Sequence, residues 1–274
     1  MKLLIAALIL ICMPTIAHAG DTYDRVMKTG KIRCGYAPWS IYLARDPNTG
    51  KMSGIYYDYV EQLGKNLGLK IEWAEELGDT EAITALDTGR VDAYCGVMAW
   101  NAERARIVDF VTPLHYTGVY IYEKEGYKRF DKNLAAVNKP EVKIVSVDGD
   151  IFAKVAKLDF PGSTPFSMPQ MTTEADTYLS VADGKADLVL NEPASAAEYM
   201  KHNPGKIREV VLDSPLRFYA ASIVVKGGED RFRRMLDVAT VEMHGSGAIE
   251  KIIQKYEPVE GAILRVATPY ETKP

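Results

Sequence analysis

Cysteine is scarce in this 274-residue chain, at Cys12, Cys34 and Cys95 only, and their spacing is not that of a metal site. No Gly-x-Ser-x-Gly turn and no paired histidines occur, so no nucleophilic or metal-assisted chemistry is legible and neither metal nor cofactor is expected. Positive charge is also in short supply. Lys and Arg number 33 against 37 Asp and Glu, a net charge of −4. A mildly acidic balance argues against nucleic acid or a membrane surface as partner, because both select basic patches. Beyond the N-terminus no apolar run reaches about 18 residues, so no membrane-spanning helix is expected.

The one strongly apolar stretch reads as a targeting segment. Lys2 precedes an apolar run, Leu3 to Met13, too short to span a bilayer. Ala17-His18-Ala19 supplies a small-x-small pattern, which predicts a cut after Ala19 and export with Gly20 as the new N-terminus. Cys12 follows the bulky Ile11, which argues against lipid anchoring. Removing residues 1–19 leaves 255 residues and a net charge of −5, enough chain for two lobes.

Two stretches repeat a pattern. "AITALDTGRVDAYCGV" from Ala82 and "TYLSVADGKADLVLNE" from Thr177 each read as a helix end, Gly, a basic residue, a small apolar residue, Asp and an apolar strand. Gly suits a left-handed helix cap, and the basic residue suits the helix C-terminus. Two such units in the same order predict two lobes of similar build. Strands are expected at 31–37, 70–76, 91–97, 142–147 and 187–192. Helical patterns lie between them, one with Tyr56, Val60, Leu63 and Leu67 on a single face. Asp79 or Thr80, Asp150 and Thr173 are the expected helix caps. The βαβαβ order predicts parallel sheets. Residues 116–124 and 220–228 read as two strands crossing between the lobes, a double hinge. Two helical patterns, Phe232 to Met243 and Ile249 to Tyr256, follow the second. Facing α/β lobes bind ligands at the carboxyl ends of their strands, and hinge closure buries the ligand.

Several motifs, in order, resemble the bacterial extracellular solute-binding proteins of family 3, the binding components of amino-acid ABC importers. They are "GKIRCGYAPW", "NTGKMSGIYYDYVEQLGKNLGL", "LDTGRVDAYCGVMAWNAERARIVDFVTPL", "DGKADLVLNEPASAAEY" and "GSGAIEKIIQKY". The resemblance covers almost the whole chain after the leader. It implies a two-lobed α/β fold of the periplasmic-binding-protein type II. The first lobe would be 20–122 with 220–274, and the second 123–219. It further implies a periplasmic protein that binds a small polar ligand and delivers it to the permease of an ABC importer; a monomer is expected because the sequence suggests no exposed apolar stripe.

The resemblance also assigns residues. Arg104 matches the arginine that grips a ligand carboxylate, and Asn101 reads as the N-cap placing it in a first helical turn. The competing reading is an internal pair with a carboxylate such as Asp109. Glu192 matches the acid that holds the ligand's amino group, with a solvated loop acid as the alternative. Tyr36 and Trp39 match the aromatic loop over the ligand, with core packing as the alternative. Four departures stand out. Ala99 replaces a hydroxyl, and Trp100 beside it adds an aromatic wall. Asp79 stands near a usual aromatic. Asp148-Gly149-Asp150 replaces a hydroxyl-rich loop, with Ile151 where Thr is common. An acidic, aromatic pocket predicts a ligand with a cationic group. Cys34 and Cys95 fall on the first and third strands, neighbours in a 2-1-3 order; a disulfide and two buried thiols both remain open. Other roles on the same scaffold are a dehydratase acting on cyclohexadienyl acids, with Glu192 as the acid, and a periplasmic sensor or helper protein.

Overall fold

The computed structural model describes residues 21–266, so the expected leader and its cut lie outside the described residues. After a helix at Asp21–Thr29, the chain builds one βαβαβ unit: β1 (Lys31–Tyr36), α1 (Ile55–Leu67), β2 (Lys70–Glu76), α2 (Asp79–Asp87) and β3 (Ala93–Ala99). A long strand, β4 (His115–Lys124), leads to the second unit. That unit is β5 (Lys143–Val147), α3 (Ile151–Asp159), β6 (Thr164–Met168), α4 (Glu174–Ala182) and β7 (Leu188–Asn191). Then follow α5 (Pro193–His202), a second long strand β8 (Arg217–Lys226), and helices α6 (Asp230–Gly245) and α7 (Ala248–Tyr256).

The strands lie in the order β2-β1-β3-β8-β4-β7-β5-β6. Each unit has the same 2-1-3 arrangement, with β1 parallel to β2 and β3, and β5 parallel to β6 and β7. Between the units, β8 and β4 run antiparallel to each other, β8 also pairing β3 and β4 pairing β7. Two lobes are therefore stitched by two neighbouring strands. Phe232, Leu236, Met243, Ile249 and Ile253 of the last helices share the core of the first lobe with Ile32, Val60 and Leu63. A second core holds Val119, Ile121, Ile144, Phe152, Val155 and Leu188. No helix among the described residues is long and apolar enough to cross a membrane.

The repeated Gly-basic-x-Asp turn has a physical basis at each residue. Gly89 and Gly184 sit at φ +70° and +76°, conformations that only glycine adopts without strain. The next residue's N–H reaches back into the helix, Arg90 to Ala85 and Lys185 to Ser180, both at 2.9 Å. The aspartate then clips its strand to the first strand of its own lobe. Asp92 accepts the Arg33 backbone N–H at 2.6 Å, and Asp187 accepts that of Lys143 at 2.8 Å.

Two local expectations are corrected, and one strand is added. The N-cap of α2 is Gly78, without a side-chain cap; Asp79 is the first helical residue, and its carboxylate turns to other partners described below. Arg104 opens a three-residue 3-10 turn, Arg104–Arg106, and not an α-helix; Asn101 Oδ1 nevertheless accepts the Arg104 N–H at 2.9 Å. The strand Thr164–Met168 carries Pro165 and stands at the sheet edge, where a missing N–H is tolerated. Asp150 and Thr173 do cap α3 and α4. Cys34 and Cys95 are joined in a disulfide at the β1–β3 seam.

Candidate functional site

A cavity of about 170 Å³ opens between the lobes at the carboxyl ends of the parallel strands. The first lobe contributes the loop after β1, which carries Trp39 and Tyr42, the start of α2 with Asp79, Ala99 at the end of β3, and Arg104. Gly54 lets that loop fold back: a Cβ there would lie 2.6 Å from the Tyr42 carbonyl oxygen. The second lobe contributes Asp148 to Phe152, Glu174 and Glu192, while β4 and β8 supply His115 and Tyr219.

Arg104 is 8% exposed, and three of its five N–H donors have acceptors within the protein, both of the Nη2 hydrogens among them. Nη2 donates to Asp79 Oδ2 at 2.5 Å and to the Gly149 carbonyl of the second lobe at 2.9 Å, and Nη1 to the Ala99 carbonyl at 3.4 Å. The internal carboxylate partner is therefore Asp79, and Asp109 accepts the Gly228 N–H instead. Asp79 also accepts the Tyr94 hydroxyl at 3.3 Å. Burial pushes the Asp79 carboxyl above its usual range, against the pull of Arg104 and Tyr94.

Glu192 is 3% exposed, so it is no solvated loop acid. It caps α5, accepting the Ser195 N–H at 2.7 Å and the Ala194 N–H at 2.9 Å, with Pro193 at a first helical position that needs no N–H partner. Tyr42 of the other lobe donates to it at 3.0 Å. Burial still raises its pKa to about 7, opposed by those donors. Burial, reinforced by Asp79, raises Asp150 to about 7, and burial raises Glu174 to about 8, with Glu192 and Asp150 adding to the rise.

Of the residues singled out in the sequence, the fold brings Arg104, Glu192, Trp39, Ala99, Asp150 and Asp79 to this cavity. Tyr36 and Trp100 do not line it. Tyr36 packs in the first-lobe core, edge-on to Trp73. Trp100 lies against Phe110 and donates its indole N–H to Ser222, because strand alternation turns it away from the face that Ala99 presents. Trp39 stacks on Phe152 of the second lobe, ring centroids 6.3 Å apart.

The sequence reading missed Tyr42, His115, Phe152 and Glu174. His115 is 1% exposed and stacks on Tyr42 at 5.1 Å. Burial lowers its pKa to about 3, so the ring is neutral. Among the described residues, neither of its ring nitrogens has a hydrogen-bond partner, nor does Glu174 Oε1. Six acids, Glu76, Asp79, Asp148, Asp150, Glu174 and Glu192, thus face one guanidinium.

Residues 32–258 match the model of the bacterial extracellular solute-binding proteins, family 3, and the chain belongs to that family. The chain is 25% identical over 261 residues to an L-glutamate/L-aspartate-binding protein of Pseudomonas aeruginosa, covering 90% of this chain and 83% of that protein. A probable amino-acid ABC transporter-binding protein of Haemophilus influenzae is 23% identical over 210 residues, 74% and 76% of the two chains. Among solved structures, an ancestral amino acid-binding protein described as a precursor of cyclohexadienyl dehydratase superposes with a TM-score of 0.76 at 25% identity, covering 86% of this chain and 99% of that one. The chain is therefore a two-lobed member of the bacterial extracellular solute-binding proteins of family 3.

Proposed function

We propose that this protein, exported to the periplasm after cleavage at Ala19, captures a small ligand of amino-acid size bearing a positive charge and hands it to the permease of an ABC importer. The hinge is β4 and β8, and the lobes are 20–122 with 220–274, and 123–219. The observation that carries the reading is the composition of the interlobe cavity, six carboxyl groups against the one guanidinium of Arg104, with Trp39, Tyr42 and Phe152 as aromatic surface. Carboxylates attract an ammonium or guanidinium, and aromatic faces accept both a cation and its apolar stem. Ligand contacts from both lobes would couple occupancy to closure, the shape a permease reads. Arg104 and Tyr42 already bridge the lobes through Gly149 and Glu192.

The dehydratase reading needs Glu192 as a proton donor. Burial raises its pKa to about 7, which suits that role, while two backbone N–H groups and the Tyr42 hydroxyl on its oxygens favour the ionised form and oppose it. Native mass spectrometry of protein purified from exporting cells tests the proposal. The expected result is a small bound cation that is released on denaturation. A released anion or neutral sugar would contradict it, as would turnover of prephenate or arogenate.

A further inference from the structure

We infer that the cavity selects an amine that carries no carboxylate, because Asp79 already holds the face of Arg104 that an amino acid's carboxylate would need. The inference rests on the cation-capturing role proposed for this cavity and names the chemical class of its ligand.

The first ground is the state of Arg104. Recognition of a carboxylate by arginine uses two parallel N–H donors. Here Nη2 gives its two hydrogens to Asp79 and the Gly149 carbonyl, and Nη1 meets the Ala99 carbonyl. With Arg104 8% exposed, an incoming carboxylate would have to displace a charged group that Tyr94 also holds in place. It would then sit among Asp79, Asp148 and Asp150, all on the cavity wall, where like charges repel.

The second ground is the opposite need elsewhere on the wall. Glu174 is 9% exposed, and its Oε1 has no hydrogen-bond partner among the described residues. The His115 ring, 1% exposed, is equally without partners at either nitrogen. A buried polar group without a partner is costly, and an acceptor in that position is matched by a donor-rich ligand. An alkylammonium offers three donors and a guanidinium five. Trp39, Phe152 and Tyr42 supply surface for the aliphatic stem between two such ends.

The test is calorimetric titration of protein unfolded and refolded to remove bound material, with pairs that differ by one carboxylate: cadaverine and lysine, putrescine and ornithine, agmatine and arginine. At least one amine should bind about tenfold or more tighter than its amino acid. Asp79→Asn, which keeps the shape and frees Arg104, should move the preference toward the amino acid. Should that variant fail to fold, the wild-type preference alone decides. Glu174→Gln should weaken the amine about tenfold. An amino acid bound as tightly as its amine overturns this inference and leaves the capture of a cation standing. Silence from all six overturns both.

Discussion

The Tyr42 hydroxyl donates to Glu192 Oε2 at 3.0 Å, and that same oxygen accepts the Ala194 N–H at 2.9 Å. One carboxylate thus follows β7, caps α5 and ties the second lobe to the loop that carries Trp39. The tie lies on the cavity wall, so lobe closure and ligand contact share a residue.

Tyr42→Phe isolates the tie. The ring still fills its place against His115 and Tyr56, and Glu192 keeps its cap. Loss of a buried hydrogen bond to a carboxylate should cost about 1–2 kcal/mol, read as a lower urea midpoint at unchanged slope. Ligand dissociation should quicken. An unchanged midpoint would mean that the bond contributes nothing to the folded state.

The buried acids set a pH dependence. In the folded protein Glu174 holds its proton to about pH 8, and Glu192 and Asp150 to about 7. In the unfolded chain carboxyls titrate near about 4. Between those limits the folded state binds more protons, so stability falls as pH rises. The unliganded protein should have a higher urea midpoint at pH 5.5 than at pH 8, and Glu174→Gln should flatten that slope. Binding of a cation to the ionised acids should strengthen over the same window. The neutral His115 facing them keeps its charge state there. A midpoint that rises from pH 5.5 to 8 would contradict the buried acids.

The two clip aspartates should differ in weight. Asp92 has a buried side chain held by Arg25 and Arg33 as well as a backbone N–H, whereas Asp187 makes an exposed contact with the Lys143 N–H. Asp92→Ala should therefore cost about 3 kcal/mol, and Asp187→Ala about 1 kcal/mol. Equal losses in chemical unfolding would show that the backbone clip alone matters.

Reduction of Cys34–Cys95 opens a crosslink across 61 residues of chain. The chain-entropy relation puts the loss at about 4 kcal/mol. The unreduced mature protein should show no reactive thiol when denatured and two after reduction. Two free thiols without reductant would contradict the bond.

The fold was legible where local signals repeat. Gly89 and Gly184 end helices for the same backbone reason, and Asp150 and Thr173 accept the N–H groups that helix starts leave over. The helix at Pro193 escapes a reading that takes Glu192 as a ligand-holding acid or a solvated loop acid, although an acid before proline is also a helix start. The site was legible only in part. Ala99 and Trp100 are adjacent on an extended segment and so cannot both face the cavity, which pattern alone would have shown. Glu174 and His115 gave no local sign. They lie 59 residues apart in sequence and meet only because β4 crosses from lobe to lobe.

The most direct test is a thermal-shift screen of refolded, ligand-free protein against amines, basic and acidic amino acids, quaternary ammonium compounds, dicarboxylates and sugars. At about a hundred times its dissociation constant a ligand adds about 2.7 kcal/mol, an easily read shift. The account predicts stabilisation by small cations alone, cut to about half in Glu174→Gln. Stabilisation only by dicarboxylates or sugars would contradict it.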